Sequence, residues 1–322
     1  MPNYNELFHS HLQSINYKKT PSGLYEPIAY LLQLGGKRIR PMLTLMATDV
    51  FSGDVEESLS AALSVELFHN FTLMHDDIMD DAPLRRGKQT VHEKWNVNTG
   101  ILSGDAMLVQ AYKSLEAYPD TLFGKLTRLL SKTAIEVCEG QQYDVDFETQ
   151  SETTIEAYLE MIRLKTAVLV GCALKMGVYI SEGNENEAQK LYDFGVKLGM
   201  AFQVQDDYLD AFGDPKTFGK QLGGDIIENK KTILYHKTLA LGTSTQKIEL
   251  QQWFESNKQF TDSDKILGVK KLFTTSGAAA ASQNLMKEYT EEAFRVLDSL
   301  ELKSKRKQIL VDFANQLLQR KF

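Results

Sequence analysis

Residues 65–90 read VELFHNFTLMHDDIMDDAPLRRGKQT, a largely apolar run followed by a dense cluster of charged residues. The first half continues a repeat in which Leu59, Leu63, Leu67 and Phe71 recur every four residues, as on one face of a helix. The second half places four aspartates within six residues, directly before an arginine pair. Since like charges at this spacing repel one another, the stretch predicts a helix that ends in a functional anionic site.

Helical periodicity is the dominant pattern of the whole chain. Leu191, Phe194, Leu198 and Phe202 repeat it, whereas alternating β-branched runs closed by tight turns are nearly absent. There is no Pro/Gly/Ser-rich linker, repeat or low-complexity segment. We therefore predict an all-α fold of ten or more helices, with residues 1–322 forming a single domain.

The composition excludes several classes of protein. With 322 residues, 43% of them apolar and 25% charged, the chain suits a soluble globular protein with a substantial core. A net charge of −7 argues against a nucleic-acid partner. Two cysteines are too few for a disulfide framework or a zinc cluster. No signal-peptide pattern or bilayer-length apolar run is present, so a cytoplasmic protein without a membrane span is expected.

The first acidic cluster has the spacing of a metal site. Asp76 and Asp80 lie four residues apart and share a helix face, while Asp77 turns away. Paired carboxylates suit Mg²⁺, which completes its octahedron with water and phosphate oxygens. The alternative is a solvated acidic helix end. Asp81 lies off the shared face, and the pattern assigns it no role.

The same spacing recurs in FQVQDDYLD, residues 202–210, which contains Asp206, Asp207 and Asp210. The irregular segments 82–90 and 211–231 each follow one of the clusters, which suggests loops at one mouth of a helical bundle. If the two helices face each other, carboxylates about 4 Å apart repel by roughly 4 kcal/mol at an intermediate dielectric. Several Mg²⁺ ions bridging to a phosphate would relieve that repulsion.

Basic residues accompany both clusters and the glycine pair at 35–36. One such residue alone is more often a solvated surface charge, but repeated adjacency favours phosphate binding. The cations concerned are Lys37, Arg38, Arg40, Arg85, Arg86, Lys216, Lys220, Lys230 and Lys231.

Five motifs in a fixed order resemble the trans-isoprenyl diphosphate synthase, or polyprenyl synthetase, family. They are GGKRIRP (35–41), HNFTLMHDDIMDDAPLRRGKQTVH (69–92), KTA (165–167), FQVQDDYLD (202–210) and GKQLGGDIIENKKT (219–232). The resemblance implies an all-α bundle around a central cavity, usually a homodimer. It also implies head-to-tail condensation of isopentenyl diphosphate with dimethylallyl, geranyl or farnesyl diphosphate.

The resemblance also assigns roles to individual residues of this chain. The metal ligands would be Asp76, Asp80, Asp206 and Asp210. The allylic diphosphate would contact Arg85, Lys165, Lys220 and Lys230. Isopentenyl diphosphate would be held by Lys37, Arg40, His69 and Arg86. Thr166 and Gln203 would turn their oxygen dipoles toward the allylic cation, and Asp76, Asp80, Lys165 and Asp206 would complete the catalytic set.

The residues before the first cluster are expected to set the length of the product. In the family a cavity floor just upstream of this motif limits the growing chain. Here Phe71 and Thr72 stand five and four residues before Asp76, and the motif lacks a two-residue insertion. This pattern resembles a short-chain enzyme, C20 (geranylgeranyl diphosphate) more than C15 (farnesyl diphosphate). The alternative is that Phe71 is only a core residue.

Three other hypotheses fit part of the pattern. A terpene cyclase shares the fold and one aspartate motif, but it does not need GGKRIRP or Arg86 for a second diphosphate. A ferritin-like di-metal oxidoreductase needs two Glu-x-x-His pairs, and only Glu66 and His69 form one. A non-catalytic synthase subunit would carry degenerate aspartates, whereas both motifs here are intact.

Overall fold

Nearly all of the described chain is helical, in agreement with the predicted all-α class. The computed structural model describes residues 3–15, 19–150, 152–214, 222–255 and 260–318. Lys216 and Lys220 therefore lie outside the described residues, and their predicted roles stay predictions.

The helices are numbered in chain order. They are α1 (Tyr4–Ser14), α2 (Ser22–Gln33), α3 (Ile39–Val50), α4 (Leu59–Met79), α5 (Val91–Lys94), α6 (Val97–Ser114), α7 (Asp120–Thr149), α8 (Ile155–Ile162), α9 (Val168–Ile180), α10 (Glu185–Phe212), α11 (Gly224–Ile227), α12 (Ile233–Leu241), α13 (Ser244–Phe254), α14 (Asp262–Thr275), α15 (Ala278–Asp298) and α16 (Ser304–Leu318). Short 3₁₀ turns cover Glu56–Ser58 and Leu115–Ala117, and a π-helical turn covers Arg163–Ala167.

Several helices begin where the sequence supplies a capping side chain. Asn96 accepts the Thr99 amide at 2.9 Å before α6, and Thr154 accepts the Ala157 amide at 3.1 Å before α8. Thr243 and Gln246 form a reciprocal capping box at α13. Each cap satisfies a backbone donor that the first turn leaves unpaired.

The chain divides into two compact units. The first unit comprises Met1–Lys132 and Cys172–Gln189, and the second comprises Thr133–Gly171 and Lys190–Phe322. The assignment of residues 1–322 to one domain stays a prediction.

In the first unit, α4 packs against α1, α2, α3, α5 and α6. Leu63, Leu67 and Phe71 are buried along one of its faces, as the four-residue repeat predicts. Phe68 and Val65 are fully buried on other faces. Because α4 is covered on several sides, its end holds the first acidic cluster on a rigid support.

The segment between α4 and α5 forms a small hairpin. Strands β1 (Leu84–Arg85) and β2 (Lys88–Gln89) pair antiparallel, with Leu84 opposite Gln89. The sequence predicts only an irregular segment here. Two-residue strands are too short to produce an alternating pattern, so the periodicity carries no signal for them.

In the second unit, α12 packs against α8, α13, α14 and α15. Its core includes Met200 and Val204 of α10 together with Ile233 and Phe273. Leu191, Phe194 and Leu198 are also buried, so the predicted stripe is confirmed for these residues, while Phe202 is only half-buried.

None of the described helices is long and apolar enough to cross a membrane. Cys138 is an exposed cysteine and Cys172 is a buried one.

Candidate active site

The first acidic cluster lies at the C-terminal end of α4, and its carboxylates differ in environment. Asp76 is half-buried, and Asp80 is exposed where the helix ends. Asp77 is buried and pairs with Arg85, whose Nε lies 2.9 Å from both carboxylate oxygens and whose Nη2 lies 2.7 Å from Oδ1. Helical spacing correctly predicted that Asp77 turns away. The ion pair itself was missed, because the hairpin that returns Arg85 to α4 leaves no mark in the sequence.

His69 of α4 stands beside Arg40 of α3, and both side chains are half-buried. Nη1 of Arg40 lies 3.1 Å from Nε2 of His69. Because a guanidinium only donates, Nε2 accepts and the imidazole proton resides on Nδ1. Burial and the neighbouring charge of Arg40 both lower the pKa of His69, and together they hold it well below its usual value.

The positive charges of four arginines act on this histidine. Burial is the largest effect that lowers the pKa of His69, and the charges of four arginines lower it further; in order of size they are Arg40, Arg85, Arg86 and Arg38. Burial also lowers the pKa of Arg40 to about 10, although Glu66 opposes that effect. Such a concentration of positive charge around an uncharged donor group is suited to a multiply charged anion.

Not all of these arginines are equally available to a ligand. Arg38 pairs with Glu66 and donates to the Leu32 carbonyl, and Asn70 donates to Glu66 Oε1 at 2.7 Å. This network argues against Glu66 and His69 as a di-metal pair. By contrast, the buried Nε of Arg40 has no hydrogen-bond partner among the described residues.

The turn at Gly35 and Gly36 positions the Arg86 guanidinium. Gly35 and Gly36 have φ angles of 81° and 125°, which L side chains rarely adopt. Nη1 of Arg86 donates to the Gly35 carbonyl. A Cβ on Gly36 would lie 2.6 Å from Nη2 of Arg86, so the missing side chain leaves room for the guanidinium.

The residues predicted to set product length occupy different environments. Phe71 is 9% exposed, with its ring centroid 4.8 Å from that of His75 and 5.7 Å from that of Phe68. The Thr72 hydroxyl donates to the His69 carbonyl at 2.8 Å, within its own helix. Phe71 is therefore fixed in an aromatic cluster just before Asp76, and its role in chain length stays a prediction.

In the second unit, Lys165 and Thr166 lie on the π-helical turn that joins α8 and α9. Single π-helical turns inside helices are frequent at functional sites, because the extra residue redirects side chains. Nζ of Lys165 lies 2.5 Å from Oδ2 of Asp144 on α7. Asp144 carries no sequence signal, since it is one acid among several on a long helix.

Polar groups form a chain across the second unit. Thr166 donates to Gln203 Oε1 at 3.1 Å, and Gln203 Nε2 donates to Asp207 Oδ1 at 3.0 Å. The Tyr158 hydroxyl and the Ile233 amide donate to the other oxygen of Asp207. The sequence places Gln203 on one stripe with Asp206 and Asp210. The observed partner is Asp207, four residues on, a spacing that also shares a helix face.

The buried pair of Asp207 and Tyr158 is strongly perturbed. Burial raises the pKa of Asp207 to about 6, and its hydrogen bonds from Tyr158, Gln203 and Ile233 oppose that shift. Burial, followed by the charge of Asp207, raises the pKa of Tyr158 well above its usual value. Strongly perturbed groups beside a cleft are typical of functional sites.

These side chains line one cavity of about 300 Å³ within the second unit. Four of the predicted site residues contribute to it: Lys165, Thr166, Gln203 and Lys230. Tyr158 and Asp207, to which the sequence analysis gave no role, line it as well. Tyr158 has no signature in a single sequence.

The remaining carboxylates of the second motif have distinct positions. Asp206 is half-buried, whereas Asp210 is buried and accepts the Asp225 amide at 3.1 Å. Asp210 thereby anchors the first turn of α11, and Lys230 lies after that helix with its Nζ 3.0 Å from Glu228. The predicted metal-binding roles of Asp206 and Asp210 stay predictions.

Residues 21–272 match the family model for polyprenyl synthetase. The geranylgeranyl pyrophosphate synthase of Geoglobus acetivorans is 33% identical over 318 residues, 98% of this chain and 96% of that protein. The geranylgeranyl diphosphate synthase of Saccharolobus solfataricus is 40% identical over 228 residues, 70% of this chain and 69% of that protein.

Structural similarity extends over the full length of the chain. A crystal structure of a geranylgeranyl pyrophosphate synthase aligns with a TM-score of 0.95 and 49% identity, covering 100% of both chains. That of the Geoglobus acetivorans protein aligns with a TM-score of 0.89 and 30% identity, covering 99% of both chains.

Proposed function

The chain belongs to the polyprenyl synthetase family, and on that premise we propose that it is a prenyltransferase that condenses isopentenyl diphosphate head to tail with an allylic diphosphate. The proposed product is C20, geranylgeranyl diphosphate. The observation that carries this proposal is a pair of fixed guanidinium groups, that of Arg40 held 3.1 Å from His69 and that of Arg86 held by the Gly35 carbonyl. This site could bind a diphosphate without a metal ion. It lies in the same unit as the first aspartate motif, which is suited to bind a metal ion.

Isopentenyl diphosphate would bind at this arginine pair. Arg40 and Arg86 are positioned by His69 and by the Gly35 carbonyl, respectively, so their guanidinium groups are fixed before a ligand arrives. Pre-positioned donors lose little side-chain entropy on binding. Lys37 is exposed on the same glycine turn and would add a further cation. A terpene cyclase would have no use for this second diphosphate site.

The carboxylates fit Mg²⁺ as the metal. Asp76 and Asp80 offer oxygen ligands only, and their half-buried and exposed positions leave access for the waters that Mg²⁺ retains. Asp206 and Asp210 would hold further ions. When bound, Mg²⁺ would neutralise charge on the departing diphosphate.

The remaining residues would act on the allylic substrate. Lys165 and Lys230 line the cavity of the second unit and would contact the allylic diphosphate. The roles of Arg85 and Lys220 toward the same diphosphate remain those that the family resemblance implies. The Thr166 hydroxyl donates to Gln203, so its oxygen lone pairs remain to face the developing allylic cation. The walls of the cavity would keep water from that cation.

Incubation with substrates tests the reaction directly. Purified protein would be given Mg²⁺, isopentenyl diphosphate and one allylic primer, either dimethylallyl, geranyl or farnesyl diphosphate, and the products sized by chromatography. We expect C20 diphosphate from each primer. Absence of condensation with all three would overturn the proposal, and hydrocarbon from an allylic primer alone would indicate a cyclase.

We also propose that the protein is a cytoplasmic homodimer. Helix α6 exposes Ile101, Leu102 and Val109, whose exposures of 41%, 60% and 66% are high for such side chains. Burial of these residues against a second copy would remove that apolar surface from water. Analytical ultracentrifugation of the full chain measures the oligomeric state.

Substitution of Gly36 should impair isopentenyl diphosphate binding. We expect Gly36→Ala to raise the KM for isopentenyl diphosphate about 10-fold, because the new Cβ would meet the Arg86 guanidinium at 2.6 Å. The φ of 125° adds about 1–3 kcal/mol of strain. Gly23→Ala is the matched control, since nothing lies within 4 Å of its Cβ position and its φ is not positive. Equal KM values for the two variants would contradict the assignment.

Removal of the Phe71 ring should lengthen the product. We expect Phe71→Ala to shift the main product beyond C20, because the lost ring lies directly before the aspartate motif. Phe68→Ala removes the same volume from the neighbouring ring, which is fully buried. Both changes cost about 3–5 kcal/mol of packing, so a longer product from Phe71→Ala alone separates chain length from stability. An unchanged product distribution would show that Phe71 is only a core residue.

A further inference from the structure

Asp81, His92 and Glu93 form a cluster outside the site described above. Asp81 follows the last residue of the first aspartate motif, and His92 and Glu93 lie in the single turn of α5. Nε2 of His92 lies 3.9 Å from Asp81 Oδ1 and 3.8 Å from Glu93 Oε1. One ligand atom from each of the three residues lies within 4.8 Å of the other two.

The imidazole at the centre of this cluster has no hydrogen-bond partner. His92 is only 8% exposed, and neither of its buried ring nitrogens makes a hydrogen bond within the described part of the chain. A buried polar group left in this way costs about 1–3 kcal/mol, and native proteins rarely leave one without a water or an ion. Both neighbouring carboxylates lie beyond hydrogen-bond distance of Nε2, so neither replaces that missing partner.

We propose that Asp81, His92 and Glu93 bind a divalent transition-metal ion, with Zn²⁺ the preferred ion. Ligand atoms bound at about 2.0–2.1 Å to a tetrahedral ion stand roughly 3.3 Å apart, somewhat closer than the distances observed here. Asp81 exposes 96% of its side chain and Glu93 exposes 45%, so both are free to close on an ion by changing rotamer. The buried imidazole supplies the fixed ligand.

The donor set separates this ion from Mg²⁺. One imidazole nitrogen with two carboxylates is a ligand set of Zn²⁺, Mn²⁺ or Fe²⁺, whereas Mg²⁺ takes oxygen ligands almost exclusively. Two carboxylates also balance the charge of a divalent ion. Water would occupy the fourth position, since the carboxylate side of the cluster is open to solvent.

The ion would join two segments that the hairpin already brings together. The Ala82 amide donates to the Asp77 carbonyl at 3.0 Å, and the Thr90 hydroxyl donates to the Ala82 carbonyl at 2.7 Å. These bonds hold Asp81 beside the start of α5. A metal across this gap would brace the hairpin that carries Arg85 and Arg86, which makes it a structural ion rather than a reacting one.

Zinc binding by the full chain tests the proposal. The protein would be stripped with a chelator, placed in excess Mg²⁺ to occupy the aspartate motifs, and titrated with Zn²⁺ against a chromophoric competitor. We expect one tight Zn²⁺ per chain, an affinity at least about 100-fold lower in Asp81→Asn and His92→Asn, and a Zn²⁺-induced rise in Tm that these two variants lack. His9→Asn, which alters an exposed histidine of α1, should bind as the wild type does.

Two further variants keep the result interpretable. Asp81→Asn changes an exposed side chain and is not expected to disturb folding, so it remains decisive if His92→Asn fails to fold. Asp76→Asn should retain the tight Zn²⁺, because that aspartate belongs to the other site. Equal zinc affinity in the wild type and Asp81→Asn, or loss of zinc in Asp76→Asn, would overturn the proposal.

Discussion

Replacement of Asp76 by Asn should lower kcat for condensation by about 10³-fold, or about 4 kcal/mol of transition-state stabilisation. The carboxylate lies on the last turn of α4, half-exposed to solvent. An amide of the same shape keeps the packing but removes the charge that would hold Mg²⁺ against the leaving diphosphate. The loss should therefore fall mainly on kcat, with a smaller change in the KM for isopentenyl diphosphate.

The measurement needs controls for folding and for general charge. Circular dichroism and Tm should be nearly unchanged in Asp76→Asn, because the amide has the same shape as the carboxylate and the buried residues of α4 are unaltered. Glu116→Gln removes one exposed negative charge elsewhere in the first unit and should leave kcat as in the wild type. A kcat for Asp76→Asn within 10-fold of wild type would refute the assignment of Asp76 as a metal ligand.

Asp77 illustrates how far the sequence determines the first motif. Helical geometry alone separates Asp77 from Asp76 and Asp80, and the structure agrees, since Asp77 is buried. The same geometry says nothing about Arg85, because its approach to Asp77 depends on a hairpin of two-residue strands. Spacing within a helix is local and predictable, whereas a contact made through a turn depends on the tertiary fold.

The second motif shows the same limit. The pattern of Gln203 and three aspartates predicted a functional helix face, and Gln203 does line a cavity. Gln203 donates to one oxygen of Asp207, and the Tyr158 hydroxyl and the Ile233 amide donate to the other. Those partners come from distant segments of the chain, so no local pattern could reveal them. The orphan imidazole of His92 is also visible only in three dimensions.

Replacement of Arg40 by Gln should raise the KM for isopentenyl diphosphate about 100-fold and leave the allylic KM nearly unchanged. Charged hydrogen bonds to a diphosphate contribute about 1.5–3 kcal/mol, and half-buried Arg40 has a buried Nε donor without a partner among the described residues. Arg128→Gln, which removes an exposed arginine from α7, is the control and should alter neither KM. A parallel rise of both KM values would indicate a general loss of structure rather than a lost substrate contact.

The pH dependence of this variant tests the role of His69 as well. In the wild type, burial and then Arg40 lower the pKa of His69, so the imidazole is neutral near pH 7. Removal of Arg40 takes away the largest charge effect, so the pKa of His69 should rise, while burial and the other three arginines still hold it below its usual value. Protonated His69 would then restore part of the lost positive charge, so the KM ratio of Arg40→Gln to wild type should shrink as pH falls from 8 to about 6. For the double variant Arg40→Gln/His69→Asn, the ratio of its KM to the wild-type KM should stay constant with pH, because His69 is no longer present to gain a charge and replace the missing one.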